Sequence, residues 1–462
     1  MRIFDSKTKQ KIEITEDDIR LYVCGPTVYD DAHLGHARSA VSFDLLVRTL
    51  RALGKKVIFA RNITDIDDKI LKKMNESGKT LEEITTRYLS SYKTEMTVLN
   101  CLSPDIEPKA TESVGDMIML IQTLIEKGFA YVTESGDVYF SSTKDAKYLT
   151  LSGHKLDETV SRIEVGEKRD EKDFVLWKSA KEGEAVSFDS PFGRGRPGWH
   201  IECSAMIKKH LAKEGEYQID IHGGGSDLLF PHHENEAAQT RCAFGQELSH
   251  IWMHNGFVTI GGEKMSKSLG NSFFLRDALA KYDGEVIRFY LLGAHYRANF
   301  NFSLEDLEAS KKRLDKLYRL KKRVSGVSET EDSDFRAELL TALSDDLNIS
   351  KALSALDERV ATANETIDKN PKDKTAKAQA ANISSITAEI LGIGASDANL
   401  YFQQGVGEEQ KAAIEEMIQK RTEAKKAKDF AAADAVRDEL KSIGIELMDT
   451  PAGTVWEKVL DA

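Results

Sequence analysis

No run of apolar residues in this chain approaches the ~18–20 needed to cross a bilayer as a helix, so a membrane-spanning helix is not expected. The amino-terminal stretch MRIFDSKTKQKIEIT lacks the apolar core and the small-residue cleavage site of a signal peptide. Cysteine is scarce: Cys24, Cys101, Cys203 and Cys242 are the whole complement of 462 residues. They are too few and too scattered for a disulfide framework, which points to a reducing compartment, here the cytoplasm. In that setting a clustered cysteine is a ligand rather than half of a bridge. No GxxxxGKS or GxxxxGKT occurs, which removes P-loop nucleotide binding. Internal repeats and a serine or cysteine triad pattern are also missing. Nor is there a cationic excess: Lys and Arg total 64 against 76 Asp and Glu, a net charge of −12. That balance argues against a nucleic-acid partner for the chain as a whole, although one basic stripe is enough to hold phosphates.

What is present has the texture of a globular chain, with 41% hydrophobic and 30% charged residues. Its length exceeds what a single core supports, and about two to four domains are expected. Arg20–Cys24 reads as a short apolar strand. A helix follows from about His36 to Leu53, with Val41, Leu45, Leu46, Leu50 and Leu53 on one face, and then a buried strand over Lys56–Ala60. Strand, helix, strand with short connections means a parallel crossover. YVTESGDVYF (131–140) predicts a hairpin around Ser135-Gly136. Gln218–His222 predicts a returning strand, followed by a glycine turn and a helix from about Pro231 to Phe244. Beyond about residue 312 the pattern is almost wholly helical, interrupted by polar linkers at 325–334 and around 392–409. The fold class expected is α/β: a doubly wound Rossmann-type parallel sheet with an insertion, then a helical bundle and a small carboxyl-terminal domain. The boundaries are 1–110 and 199–250 for the two halves of the sheet domain, 111–198 for the insertion, 251–315 for the following region, 316–395 for the bundle and 405–462 for the last module.

Two stretches carry chemistry. His33-Leu34-Gly35-His36 lies where the first strand has ended and the first helix begins. Unpaired N–H groups and a partial positive charge at a helix start suit an anion. Two histidines three apart can face it and donate to a triphosphate, and Gly35 admits close approach of a ribose. By itself the motif is equally a helix start with two surface histidines. The second stretch, GGEKMSKSLGN (261–271), holds Lys264 and Lys267 in a glycine-flanked polar loop after a strand-like FVTI. Lysines there are mobile point charges suited to a departing polyphosphate. The pair is far more specific than either part.

HxGH together with KMSKS is the signature pair of class I aminoacyl-tRNA synthetases. YVCGPTVYD, RNITDIDDKI (61–70), KDFVLWK (172–178), GWHIECSAM (198–206) and IHGGGSDLLFPHHENE (221–236) resemble the cysteinyl-tRNA synthetase family. So do DDLN (345–348) and KDFAAADAVRDEL (428–440), and the resemblance covers nearly the whole chain. HLGH stands where HIGH is commoner, a conservative apolar swap.

Against that resemblance the cysteines can be weighed. Cys24 and Cys203 lie in polar, glycine-rich strand ends, whereas Cys101 and Cys242 are expected to be small buried hydrophobes. His232 and Glu236 are i and i+4 on one predicted helix. Thiol, imidazole and carboxylate are all zinc donors. The residues leave His232 and His233 both open as the histidine; the resemblance selects His232, implying a single Zn²⁺ on Cys24, Cys203, His232 and Glu236. A soft metal prefers thiolate to a serine hydroxyl, so its implied role is recognition of a cysteine side chain. The arriving sulfur either adds a fifth donor or takes the place of Glu236.

Other roles also follow from the resemblance. Gly25, Thr64, Trp199 and His200 are implied for the cysteine pocket, with core packing as the plain alternative for Trp199. His33, Gly35, His36, Asp227 and Lys267 are implied for ATP with its Mg²⁺, and His33, His36, Lys264 and Lys267 for catalysis. Region 251–315 then contacts the acceptor stem, and 405–462 reads the anticodon through Lys425, Phe430 and Asp434. KKRLDKLYRLKKR (311–323), with eight basic residues and one acid, reads as a basic rod able to track a phosphate backbone, or more plainly as a solvated helix. The expected activity is ATP-dependent ligation of cysteine to its tRNA by a monomer. One rival is a related ligase of thiol biosynthesis that couples cysteine to an amino-sugar; another, of a different class, is a non-catalytic zinc or RNA-binding protein.

Overall fold

A computed structural model describes residues 1–154, 167–264, 273–450 and 453–459. The chain forms two compact units. The first comprises 1–275, 291–303 and 337–353, and the second 276–290, 304–336 and 354–462.

The first unit opens with β1 (Arg2–Asp5) antiparallel to β2 (Gln10–Glu13). The first apolar run is β3 (Asp18–Val23), which leads through α1 (Leu34–Ala52) to β4 (Lys56–Arg61), paired in parallel with β3. The helical face expected from spacing is the buried one, with Val41, Leu45, Leu46 and Leu50 at most 3% exposed. Two further helices, α2 (Asp68–Ser77) and α3 (Leu81–Val98), share a small core of Val28, Ile63, Ile70, Ile84 and Tyr88. The insertion supplies α4 (Val114–Glu126) and an antiparallel sheet of β5 (Ala130–Val132), β6 (Val138–Phe140), β7 (Phe174–Ser179) and β8 (Gly195–Pro197). β5 and β6 are the hairpin expected around Ser135-Gly136. The chain returns through α5 (Trp199–His210), β9 (Tyr217–Gly225), α6 (Glu234–Phe244) and β10 (Glu247–Asn255). A small sheet follows, with β11 (Val258–Ile260) between β12 (Glu263–Lys264) and β13 (Phe300–Asn301).

The main sheet is wholly parallel in the order β10-β9-β3-β4. From β3 the chain proceeds to one edge and from β9 to the other, so the topological switch point lies between β3 and β9. Open α/β sheets leave a crevice there, beyond the carboxyl ends of the strands.

Three local expectations change. α1 begins at Leu34 rather than near His36, because His33 is its N-cap. Gly223–Gly225 are not a turn: they continue β9 and pair with Met253–Asn255 of β10. α6 starts at Glu234 rather than Pro231, preceded by a tight turn in which Phe230 is extended (φ −138, ψ 134). A residue before proline is pushed out of the helical region by contact with the proline ring.

In the second unit the basic stretch 311–323 lies on the helix Leu304–Arg323, which buries Leu314, Leu317, Tyr318 and Leu320. Most of its charge is spent within the unit, which corrects the picture of an open basic rod. Arg313 pairs with Asp357 at 2.7 Å, Arg323 with Asp368 at 2.5 Å, Lys322 with Glu457 at 2.5 Å and Lys311 with Asp315 at 3.1 Å. Lys321 donates to the carbonyls of Gly394 and Ser396. The polar stretch around 392–409 is likewise no free linker. Glu285 accepts from the backbone N–H groups of Gly394, Ala395 and Ser396, and Ala398–Tyr401 is helical. The last module packs helices Glu408–Lys426 and Phe430–Ser442 against the hairpin Ile445–Thr450 and Gly453–Lys458, around Trp456.

Candidate active site

Cys24 is the residue after β3, held there by its N–H bond to the Gly223 carbonyl at 3.0 Å. Cys203 sits in the buried face of α5, His232 in the turn before α6 and Glu236 in the first turn of α6. All four converge. The Cys24 and Cys203 Sγ atoms are 3.7 Å apart, Cys203 Sγ is 3.6 Å from His232 Nε2, and Glu236 Oε1 is 3.0 Å from His232 Nε2 and 3.9 Å from Cys24 Sγ. One ligand atom from each lies within 4.8 Å of the others, as it does in an overlapping set of Cys24, His222, His233 and Glu236.

Burial governs the electrostatics. Desolvation pushes the Cys24 thiol well above its ordinary pKa and the Cys203 thiol and Glu236 carboxyl upward, while it drives His232 and His233 far down. His200 and His254, also desolvated, are lowered to about 3. The imidazoles are therefore neutral lone-pair donors, and the thiols ionise only beside a cation. Two sulfurs, an imidazole nitrogen and a carboxylate, converging within 4.8 Å of one another, fit a soft divalent metal.

The rings around these donors determine which atoms face inward. His232 Nδ1 lies 3.0 Å from His200 Nδ1, which leaves Nε2 toward Cys203 and Glu236. His222 Nε2 lies 2.8 Å from Glu236 Oε2, and its Nδ1 is buried without a partner. His233 Nδ1 is 2.8 Å from His254 Nε2, and His254 Nδ1 is 2.7 Å from Ser6 Oγ. Such outer contacts orient metal-binding imidazoles and carboxylates. Trp199 stacks on His232 with centroids 4.0 Å apart and is 38% exposed, so it is a wall and not core.

Above the cluster opens a cavity of about 460 Å³ whose lining includes Cys24, Gly25, Trp199, His33, His36 and Asp227. Gly35 borders it as well. Gly25 donates to Asn62 Oδ1 at 2.8 Å, and a Cβ on it would fall 1.6 Å from the Asn62 carbonyl oxygen. Thr64 is buried instead and donates to Glu202 Oε2 at 2.9 Å. His33 Nδ1 accepts from the Gly35 N–H at 3.0 Å, and His36 Nδ1 from the His33 N–H at 3.1 Å, a reciprocal cap made of two histidines. Their rings stack 3.9 Å apart. Because each Nδ1 accepts, each ring proton sits on Nε2, where it is a donor. A Cβ on Gly35 would come 2.7 Å from the His33 ring, so the cap requires glycine there.

Lys264 ends β12, opposite Thr259 of β11. Lys267 lies outside the described residues. The segment after them is tied to the HLGH stretch, since Leu34 N–H bonds the Phe273 carbonyl at 3.2 Å and Leu275 N–H bonds that of Ala32 at 2.9 Å. In the second unit Lys425 pairs with Asp449 at 2.6 Å, Phe430 is 65% exposed and Asp434 is exposed. Cys242 is buried as expected, but Cys101 is only half-buried. Sequence reasoning missed His222, His254, Ser6, Asn62 and Glu202 as neighbours of the site. Glu202 directly precedes Cys203, but neighbours in a helix do not face each other; the sheet and helix packing joins all five to the site.

The chain matches the family described as tRNA synthetases class I (C) catalytic domain over residues 10–312, and a DALR domain over 339–395. It is 61% identical to the cysteine–tRNA ligase of a Nitratiruptor species, covering 99% of this chain and 100% of that one. It is 59% identical to that of Wolinella succinogenes, covering 99% of each, and 55% identical to that of Helicobacter pylori strain G27, covering 99% and 100%. Among solved structures it resembles Mycobacterium tuberculosis methionyl-tRNA synthetase in complex with methionyl-adenylate, with a TM-score of 0.60 at 16% identity over 82% of this chain and 92% of that one. A putative arginyl-tRNA synthetase from Campylobacter jejuni gives 0.54 at 16% identity over 83% and 94%. At such identity these two likenesses concern the fold alone. The full-length relatives and the matched catalytic domain place the chain in the cysteine–tRNA ligase family of class I tRNA synthetases.

Proposed function

We propose that this chain activates cysteine with ATP and transfers it to the 3′ end of its cognate tRNA. The observation that carries the reading is the placement of a buried thiol–thiol–imidazole–carboxylate cluster beneath a cavity bordered by the two-histidine cap. Cys24, Cys203, His232 and Glu236 hold Zn²⁺, in preference to the set with His222 and His233. Metal on His222 Nε2 would leave a buried Nδ1–H with no acceptor, whereas the first set also offers two sulfurs. Zinc, when bound, supplies a thiol-selective site, since a serine hydroxyl is a far poorer ligand than thiolate. His200 orients His232, and His222 orients Glu236. Gly25 and Trp199 wall the cysteine pocket, while Thr64 shapes it through Glu202.

In the first step the cysteine carboxylate attacks the ATP α-phosphorus in line. The bond from the α-phosphorus to the oxygen shared with the β-phosphate breaks and pyrophosphate leaves; Mg²⁺, when bound to the phosphates, would screen the charge of the departing group. His33 and His36 donate from Nε2 to the phosphates, Lys264 and Lys267 add positive charge to the departing group, and Gly35 and Asp227 adjoin the adenosine. No covalent enzyme intermediate is needed; positioning and electrostatics lower the barrier. In the second step a ribose hydroxyl of the terminal adenosine, the 2′-OH by class resemblance, attacks the adenylate carbonyl and AMP departs. Residues 251–315 serve the acceptor stem and 405–462 the anticodon, with Lys425, Phe430 and Asp434 as contacts. The reaction is assigned to a monomer in the cytoplasm, the reducing compartment that the few and scattered cysteines point to; no helix among the described residues is long and apolar enough to cross a membrane.

The test is pyrophosphate exchange into ATP, expected with cysteine and not with serine, followed by charging of tRNA. Removing residues 405–462 should spare exchange and cripple charging. Equal charging would remove the anticodon role of 405–462, exchange without any charging of tRNA by the full chain would favour the amino-sugar ligase, and absence of exchange with zinc present would remove the enzyme reading.

A further inference from the structure

The cavity has more wall than cysteine and ATP account for. One part of its lining is Cys24 and Trp199, and another is His33, His36, Asp227 and Gly256–Val258. The lining also holds two cations and two tyrosines that those roles leave unused, Arg61, Lys69, Tyr29 and Tyr92. Arg61 closes β4 and is only 6% exposed. Its guanidinium makes one hydrogen bond, to the Tyr92 hydroxyl at 3.4 Å, and lies 5.1 Å from the Phe59 ring centroid. No carboxylate pairs with it among the described residues. Two other buried arginines of this unit have more partners: Arg48 pairs with Asp44 at 2.7 Å, and Arg38 donates to the carbonyls of Leu291, Ala294 and His295, although its Nε has none. Burying a cation without a counter-charge is costly, so Arg61 is a cation held ready for an anion that enters from the cavity. Lys69, at the exposed start of α2, places its Nζ 5.6 Å from the Tyr29 ring centroid and adds a second charge.

We infer that Arg61, Lys69, Tyr29 and Tyr92 form a third arm of the cavity, which takes the 3′-terminal nucleotide of the RNA, its phosphate on the two cations and its base against a tyrosine ring. The inference rests on the ligase reading above and deepens it. Three anions meet at such a site. The triphosphate is already served by the α1 start. The cysteine carboxylate loses its charge as it attacks, so a fixed guanidinium there would stabilise the reactant more than the transition state and slow the step. A phosphodiester keeps its charge throughout both steps and matches the planar fork of arginine. Aromatic rings beside that charge suit an unpaired base. The position is also right for delivery: a Cβ on Gly25, next to Cys24, would lie 3.2 Å from Arg61 Cγ, so the cation flanks the amino-acid pocket.

The full-length, zinc-loaded protein is compared with Arg61→Ala, Arg61→Lys and Lys69→Ala; the last is an exposed helix position that leaves the fold intact. Single-turnover transfer from preformed adenylate to tRNA, run over a range of salt concentrations, is measured beside cysteine-dependent exchange. Arg61→Ala should slow transfer about tenfold to a hundredfold more than it slows exchange. The slope of log tRNA half-saturation against log salt should shrink by about 0.7 for each phosphate contact removed. Arg61→Lys should restore the slope and part of the rate. Equal loss of exchange and transfer with a raised cysteine KM would overturn the assignment in favour of the carboxylate. An unchanged salt slope in both Arg61→Ala and Lys69→Ala would overturn it outright. Lack of exchange by the unaltered protein would instead sink the ligase reading on which it rests.

Discussion

Cys203→Ser removes one sulfur from the buried cluster while changing side-chain volume little. Cys203 is 1% exposed, 3.7 Å from Cys24 Sγ and 3.6 Å from His232 Nε2, so its loss subtracts a donor rather than opening a cavity. Structural zinc sites bind with about 10–16 kcal/mol. Spread over four donors, that is about 2.5–4 kcal/mol each, or roughly a hundredfold to a thousandfold in affinity. A serine hydroxyl stays protonated near neutrality and replaces little of this. The assay is competition for zinc with a chromogenic chelator, with circular dichroism confirming the fold. His222→Ala and His233→Ala serve as contrasts; outer-shell substitutions cost about 10–100-fold, so both should lose less than Cys203→Ser or His232→Ala. The pH dependence adds a second check. Burial raises both thiol pKa values, and each thiol must lose its proton to bind metal. Apparent affinity therefore rises with pH across neutrality, by about tenfold per unit for each thiol still protonated, and Cys203→Ser should remove one of the two increments. Unchanged zinc affinity in Cys203→Ser, with strong loss in His222→Ala and His233→Ala, would move the ion to the overlapping set and refute the chosen ligands.

Gly25→Ala should raise the cysteine KM more than the ATP KM and cost about 1–3 kcal/mol of stability, because its Cβ meets backbone at Asn62; unchanged steady-state constants would contradict the tight β3–β4 approach. Asp346, 1% exposed with φ +60, accepts from Phe4 N–H at 2.9 Å, Tyr296 hydroxyl at 2.6 Å and Arg297 at 2.6 Å. Asp346→Asn keeps shape and tolerates that φ but loses the charge, so urea unfolding should show a midpoint lowered by about 1.5–3 kcal/mol in stability; an unmoved midpoint would show that the charge is dispensable. In the last module Arg421 and Lys425 hold the Asp449 carboxyl well below the usual range. A depressed carboxyl stabilises the fold above its unfolded pKa of about 4, and that stabilisation is lost as pH falls through the folded value. Hydrogen exchange over 445–450 and 453–458 should therefore quicken on acidification relative to the intrinsic rate, and Asp449→Asn should blunt the change.

Legibility in the sequence followed distance along the chain. β3, α1, β4 and the 131–140 hairpin were readable because apolar period and turn residues are local signals. The ends of elements were less so: His33 caps α1 with its own ring, and Gly223–Gly225 need only a paired neighbour strand to remain extended. The basic stretch 311–323 looked like an RNA track because the acids that pair with it, Asp357, Asp368 and Glu457, lie 44, 45 and 135 residues away. The same holds at the candidate site. HLGH and KMSKS are contiguous and were legible as motifs, while the choice between His232 and His233 needed the family resemblance.

By itself, the sequence determined the α/β class, the helix start that carries two histidines, and the residue types able to take zinc and ATP. Tertiary structure alone decided which of those side chains meet. Parallel pairing of β3 with β9 joins chain segments about 200 residues apart at the switch point, setting Cys24 beside the Gly223 carbonyl. Helices α5 and α6 then bring Cys203 and Glu236 to it, and His222, His254 and Ser6 fall into place behind. Side-chain spacing encodes neighbours only within a strand or a helix; contacts between elements are set by sheet order and packing, which no short stretch of residues contains.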